Sequence, residues 1–328
     1  MTALPHPDHA DALVADIGGT NTRVGLAAGP TLLPETIRRF RNAEYPGLEH
    51  VLRAYVGEHG AFACKAASVA IAGPVRDGRG TLTNLDWTID RETLAAATGA
   101  DFTAVLNDLQ AQGHALGRIA AENLHQVVEG AEPAPNASQL VIGVGTGFNV
   151  APVHNAGEAR LVAPSEAGHG NLPISNEAEL RLCRYIEKAH GFAAVEEVLS
   201  GRGLERVYAW LGEEAGDPRS ASAAEIMDRM GKDGHPRSAE TVAIFVRMLG
   251  RVAGNQALDH LPFGGVFLAG GVARAMAPYF GRFGFIEAFR DKGRFTEFMG
   301  QFGVWVIEDD YAALIGSAAH LDRLARAV

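Results

Sequence analysis

The chain has 328 residues, 47% of them hydrophobic and 21% charged, which predicts a globular protein of two domains and excludes a disordered one. Lysine and arginine number 29 against 39 aspartates and glutamates, a net charge of −10 with no basic run, which argues against a nucleic-acid partner. Two cysteines, Cys64 and Cys183, are too few for a zinc cluster or a disulfide framework and fit a reducing cytoplasm. No apolar run approaches the ~18 residues of a membrane span.

Residues 1–10 are a Pro- and His-rich lead-in, expected to be poorly ordered, with neither the basic nor the apolar region of a signal peptide. The first element is LVADIGGTNTRVGLA at 13–27. Two short apolar runs flank a polar, glycine-bearing turn, which predicts a β-hairpin. Asp16 closes the first strand, Gly18 and Gly19 let a ligand approach bare backbone, Thr20 and Asn21 add donors, and Arg23 adds a fixed positive charge. Such a turn suits a polyphosphate and its magnesium ion, with Asp16 as the carboxylate nearest the metal; it equally suits an ordinary tight hairpin.

Further along, 46–60 has helical spacing, 68–72 reads as a buried strand, and the turn at 76–80 leads to Asn84 and Trp87. Asp90 is a helix N-cap candidate. Phe102–Leu106 is a strand ending in Asn107-Asp108, followed by a helix to about Ala120. Asp108 stands at the C-terminal end of a strand, where open α/β sheets place ligands; it fits either a helix N-cap or a catalytic base.

A second hairpin, QLVIGVGTGFNVAPV at 139–153, turns at Gly145-Thr146-Gly147. Strand follows glycine in both hairpins, so neither is a dinucleotide-binding βαβ unit, and no P-loop motif is present. After a polar loop at 161–175 comes a helix at 176–190, with Asn176 and Glu179 as a capping box and Gly191 as its stop. Residues 194–260 are mostly helical, 264–269 is a buried strand followed by Gly270-Gly271 and a helix, and 304–307 and 311–327 are the last strand and helix. Strands alternating with helices point to an α/β fold.

Two phosphate-type hairpins, the LNDLQA segment, the PSEAGH loop at 164–169, VEEVLSGRGL, VFLAGGVAR and DKGRF together resemble the bacterial glucokinases, within the actin-like ATPases and sugar kinases. The resemblance covers nearly the whole chain and implies a two-domain actin-like ATPase (ribonuclease H-like) α/β fold, a mixed β-sheet in each domain and a cleft between them. It implies a smaller domain of 1–109 plus 310–328 and a larger one of 110–309 with a helical insertion. The implied activity is ATP- and Mg2+-dependent phosphorylation of glucose to glucose 6-phosphate, in the cytoplasm, by a homodimer.

Carried over residue by residue, Asp108 is the catalytic base, and Asn84, Asn107, Glu166, His169 and Glu196 bind the sugar. Asp16, Gly18, Gly19, Thr20, Asn21 and Arg23 with Gly145, Thr146 and Gly147 hold the phosphates, and Gly270 and Gly271 form the adenosine turn. Glu197 is the neighbour most easily mistaken for Glu196. The chain departs from the family pattern, Gly-Thr-Gly-Leu-Gly, at Phe148-Asn149; Ser165 and Ala167 replace glycines beside Glu166, and Gly170-Asn171 stands where relatives often have an apolar residue and Asp. These departures border the sugar pocket. The alternatives are a kinase for another hexose, a kinase-like protein that binds sugar without turnover, and a sugar-sensing regulator. Only ten residues precede Asp11, too few for a helix-turn-helix, and the cysteine-rich zinc motif of repressor-type sugar kinases is absent.

Overall fold

A computed structural model describes residues 10–59, 64–82, 85–232 and 235–327; the lead-in to residue 9 and Asn84 lie outside them. In chain order the elements are β1 (Ala12–Ile17), β2 (Asn21–Ala28), β3 (Thr31–Arg41), α1 (Leu48–His59), β4 (Ala66–Ile71), β5 (Val75–Arg76), β6 (Arg79–Thr81), β7 (Thr88–Asp90), α2 (Arg91–Thr98), β8 (Phe102–Asn107) and α3 (Asp108–Ala115). Then come β9 (Leu124–Val128), β10 (Gln139–Val144), β11 (Phe148–Ala156), β12 (Ala159–Val162), α4 (Glu177–His190), α5 (Gly201–Glu214), α6 (Ala223–Lys232) and α7 (Pro236–His260). The chain closes with β13 (Val266–Ala269), α8 (Gly271–Met276), α9 (Phe280–Phe283), α10 (Phe285–Arg290), β14 (Val304–Ile307) and α11 (Ala312–Ala327).

Two large sheets repeat one plan. The first runs β3-β2-β1-β4-β8, the second β12-β11-β10-β13-β14-β9. In each, a central strand pairs antiparallel with its own hairpin partner and parallel with a later strand: β1 with β2 and β4, β10 with β11 and β13. A further parallel strand follows, β8 beside β4 and β14 beside β13. Parallel neighbours require long crossovers, which α1, α2 and the helical stretch from α4 to α7 supply. The central strands are buried on both faces and read as continuous apolar runs: Leu13, Val14 and Ala15 in β1, and Leu140, Val141 and Ile142 in β10, are wholly inaccessible.

The chain forms two compact units, one of residues up to Ala121 with Ala156–Val162 and from Asp309 onward, the other of Glu122–Asn155 and Ala163–Glu308. The sequence reading set its limits at 109 and 309; α3 packs along α11, so it falls with the first unit. Gly316 on α11 lets the helices touch, since a Cβ there would collide with the carbonyl of Ala111. At the same joint the rings of buried His114 and half-buried His320 lie 4.4 Å apart, tilted at 40°, and the Arg323 guanidinium lies 3.4 Å from Nδ1 of His114. Burial, then neighbouring cationic groups, lower the pKa of His114 to about 2 and that of His320 to about 4.

Several details correct the sequence reading. The stretch 31–41, to which the sequence reading assigned no element, is an eleven-residue strand, β3, in which Pro34 is tolerated because β3 lies at the sheet edge. The helix after Asn107 stops at Ala115, short of Ala120: Gly117 turns the backbone at φ +83°, and Arg160 donates to the carbonyls of Gly113 and Leu116. Asn176 caps α4 by accepting from the Glu179 amide, but the Glu179 carboxylate takes Ser175 N–H and Arg251 instead of closing a box. Asp90 does cap α2, and Gly191 in the left-handed region does end α4. Trp87 is buried in the first core.

Candidate active site

In the first unit the chemistry gathers at the carboxyl edge of the parallel strands. Ile17 of β1 is level with Ile71 of β4, and Ile71 with Asn107 of β8, so the residues just before and after this line share one edge. Asp16 is one residue short of it, paired across the hairpin with Arg23, whose guanidinium lies 3.4 Å from Oδ2. The turn closes with Gly18 N–H donating to Asn21 O. Buried Asn42 straps it: its Nδ2 donates to Gly18 O, its own N–H donates to Thr20 O, and its Oδ1 accepts from Thr22 Oγ1. Gly19 and Thr20 are left exposed at the tip.

Asp108 is the first residue of α3, and the N-cap is Asn107, so the N-cap alternative for Asp108 does not hold. Asn107 Oδ1 accepts from Leu109 N–H, and Gln110 Oε1 closes a capping box on the Asn107 amide. The same Leu109 N–H reaches Asp108 Oδ1 at 2.9 Å. Asn107 Nδ2 donates to Gly73 O, so both ends of its side-chain amide already hold backbone partners. Burial, and secondly the charge of Asp16, raise the pKa of Asp108 to about 7, against the Leu109 N–H, which lowers it. Asp16 is raised by burial and pulled back by Arg23.

The second unit repeats the geometry with different fastenings. Gly143 of β10 faces Asn149 of β11 and Val144 faces Phe148, and Gly145 N–H donates to Gly147 O across the turn. Gly145 O accepts from Gly201 N–H at the start of α5. Phe148 N–H donates to Glu196 Oε2 at 2.9 Å, and a Cβ on Gly147 would stand 2.5 Å from that oxygen. Glu196 also faces Arg202 at 3.6 Å. Its neighbour Glu197 turns away to Arg206 at 2.8 Å and His190 at 3.7 Å. Thr146 is exposed at the tip.

Glu166 and His169 bracket a single 3-10 turn, closed by His169 N–H donating to Glu166 O. Both side chains are exposed, and Glu166 Oε2 accepts from Asn149 Nδ2. Gly168 between them is packed so tightly that a Cβ would collide with Phe148 O. Gly270 ends β13 with φ +102°, and a Cβ would meet Val144 O at 2.5 Å; Gly271 then starts α8 with open space beside it. Register explains the meeting, because Gly143 of β10 is level with Ala269 of β13.

The structure thus groups Asp16, Gly18, Gly19, Thr20, Asn21, Arg23, Asn107 and Asp108 within the first unit. Within the second it groups Gly145, Thr146, Gly147, Glu166, Glu196, Gly270 and Gly271, with His169 on the same turn as Glu166. Sequence reasoning missed Asn42, whose partners lie 20 to 24 residues away, Gln110, whose role depends on a capping pattern one residue off the expected register, and Arg202, six residues beyond Glu196. Asn107-x-x-Gln110 was the readable signal for the box. Among the described residues no three His, Cys, Asp or Glu side chains cluster as a self-sufficient metal site. Asp16 and Asp108 offer oxygen donors of the hard kind that suits magnesium shared with phosphates.

Two hairpin-led sheets of one plan define the actin-like ATPase fold of the sugar kinases. The glucokinase family model matches residues 13–324. A glucokinase of Saccharophagus degradans is 34% identical over 316 residues, covering 95% of this chain and 98% of its own length. Among solved structures, a glucokinase from an Antarctic psychrotroph superimposes with a TM-score of 0.84 at 29% identity, over 94% of this chain and 98% of the other. A ROK-family glucokinase of Streptomyces griseus, crystallised with glucose and AMPPNP, has the same fold at 20% identity, with a TM-score of 0.60 over 95% and 99% of the two chains. The chain belongs to the glucokinase family.

Proposed function

We infer that the chain transfers the γ-phosphoryl group of ATP to glucose, giving glucose 6-phosphate, with Asp108 as the general base. The observation that carries the role of Asp108 is its setting: a half-buried carboxylate at a strand end, beside a second carboxylate, and poised near neutrality at about 7. A base is most useful when its pKa lies near the working pH. As the sugar hydroxyl attacks, its proton passes to an oxygen of Asp108. Phosphoryl transfer otherwise asks for little covalent help, so the remaining residues position and neutralise.

In this reading the turns at Gly18–Asn21 and Gly145–Gly147 take phosphate oxygens at their tips, on the N–H groups of Gly19, Thr20 and Thr146 rather than on those of Gly18 and Gly145, which close the turns, with Arg23 beside the first. The bare backbone of Gly270-Gly271 receives the adenosine. Glu166, His169, Glu196, Asn107 and Asn84 receive the sugar hydroxyls; Asn107 does so with the lone pair and proton that its backbone partners leave over. Magnesium fits as an ion held mainly by the ATP phosphates, with Asp16 reaching it through water, and it supplies charge neutralisation when bound. The two free thiols support a reducing cytoplasm, and the homodimer rests on the family resemblance.

The test is a coupled assay of ADP release with glucose, mannose, fructose and N-acetylglucosamine, with and without EDTA. The expected result is turnover that favours glucose, yields glucose 6-phosphate and stops in excess EDTA. Sugar binding without ADP release would favour a sugar-sensing protein instead.

A further inference from the structure

Where this chain departs from the family pattern, the departures bond to one another. Asn149 stands where the second hairpin usually has its last glycine, and Ser165 and Ala167 replace glycines on either side of Glu166. Asn149 Oδ1 accepts from Val150 N–H at 2.8 Å and from Ala167 N–H at 3.0 Å. Two backbone donors on one side of the amide fix which end is oxygen. The other end, Nδ2, therefore faces Glu166 Oε2 and donates to it at 3.1 Å. Ser165 Oγ accepts from the same Ala167 N–H at 3.0 Å, a three-centre bond.

The unit is braced from beneath. Asn149 is level with Gly143 of β10, in the ladder, so its backbone is fixed by the sheet. Gly168 lies against Phe148 O, and its buried position holds the loop down onto β11. Glu166 itself is exposed, and among the described residues Asn149 is the only side chain that touches its carboxylate. An exposed glutamate without such a partner samples several rotamers; one held by an amide rooted in a strand presents its oxygens in one direction.

We propose that Asn149 is a positioning residue for the sugar, acting through Glu166, with Ser165 helping to hold the loop amide that both side chains share. The proposal rests on the reading of Glu166 as a sugar contact. One oxygen of Glu166 takes the Asn149 amide and keeps a lone pair, the other is wholly available, and both point where the strand directs them. The residue pattern at 149, 165 and 167 then tunes sugar selectivity, with glycines giving a looser acceptor and this set a stiffer one.

The test is a double-mutant cycle of Asn149→Gly and Glu166→Gln in the full chain, read as KM for glucose, KM for ATP, kcat and the glucose-to-mannose ratio of kcat/KM. Losing a hydrogen bond to a charged group predicts a rise of about tenfold in glucose KM for N149G, with ATP KM unchanged and a narrowed sugar ratio. In the E166Q background the same substitution is expected to change glucose KM by less than about threefold, because the partner is already altered. Ser165→Ala, which leaves Asn149 in place, is expected to move glucose KM in the same direction by a smaller factor. If E166Q alone leaves glucose KM unchanged, Glu166 does not touch the sugar. If E166Q raises it but N149G does not, or if N149G raises glucose and ATP KM alike with the same factor in both backgrounds, the positioning role is wrong.

Discussion

The two hairpins share a strand plan but are fastened in different ways. The turn after β1 is strapped by Asn42, a neutral buried amide from the end of its own sheet, which takes no part in the proposed chemistry. The turn after β10 is strapped by Glu196, a carboxylate 48 residues on, and by the first amide of α5. In the first unit the fastening and the reactive groups are separate: Asp16 answers to burial and Arg23, and Asp108 to burial, Asp16 and the start of α3. In the second unit one carboxylate holds the turn and, in the proposed reading, also holds the sugar. Duplicated topology fixes where a turn stands; it leaves open whether the residue that fastens it is also a ligand.

The largest effect expected falls on the first unit. Asp108→Asn keeps the shape and the Leu109 contact but removes the base, so kcat should drop by about 10²–10⁴ while glucose affinity, measured by calorimetry, changes little. Retention of more than half the wild-type kcat would show that proton removal is not this residue's task.

Next come the fastenings. Asn42→Ala strands Thr22 Oγ1 and the Gly18 carbonyl, and should cost about 1–3 kcal/mol of stability in denaturant unfolding. ATP KM should rise and glucose KM should stay. Glu196→Ala leaves Phe148 N–H without its acceptor, for a similar cost, but glucose and ATP KM should rise together. If the two variants show the same kinetic pattern, the contrast between the hairpins disappears. Gly270→Ala, forced to φ +102° against Val144 O, should lose about 1–3 kcal/mol and raise ATP KM above glucose KM.

The smallest expected effect is a pH slope from the α3–α11 joint. Both histidines have folded pKa values below the ordinary 6.5. Below pH 6.5 the unfolded chain takes up protons that the folded joint refuses, so stability is full above that pH and falls as pH drops, toward about 4 for His320 and about 2 for His114. The slope is at most about 1.4 kcal/mol per pH unit for each, and smaller for the part-exposed His320. His114→Gln should flatten the dependence of unfolding free energy on pH between 6.5 and 5; an unchanged slope would mean the joint opens to water in the native state.

Much of this was legible in the sequence because it rests on local chemistry. Glycines followed by strand marked both hairpins, Asp90 and Gly191 marked helix ends, and the apolar runs at β1, β10 and β13 marked the buried strands. The actin-like fold and the glucokinase family followed from motifs spread along the chain. What stayed hidden depends on distant partners. Residues 31–41 carried no assigned element, and only the sheet order shows that β3, with Pro34 in it, is an edge. The true cap, Asn107, was hidden behind Asp108 because both residues suit a helix start. Asn149 read as a departure from a pattern, and only the fold places its amide between Glu166 and Ala167.

Asp108 can serve as the base proposed above only if its carboxyl is poised near neutrality in the free protein. A carbon-13 NMR titration of the aspartate side-chain carboxyls, with Asp108 assigned by its loss in Asp108→Asn, measures that without turnover. The predicted midpoint is near 7, raised by burial and by Asp16. A midpoint near the ordinary aspartate value of about 3.9 would contradict it.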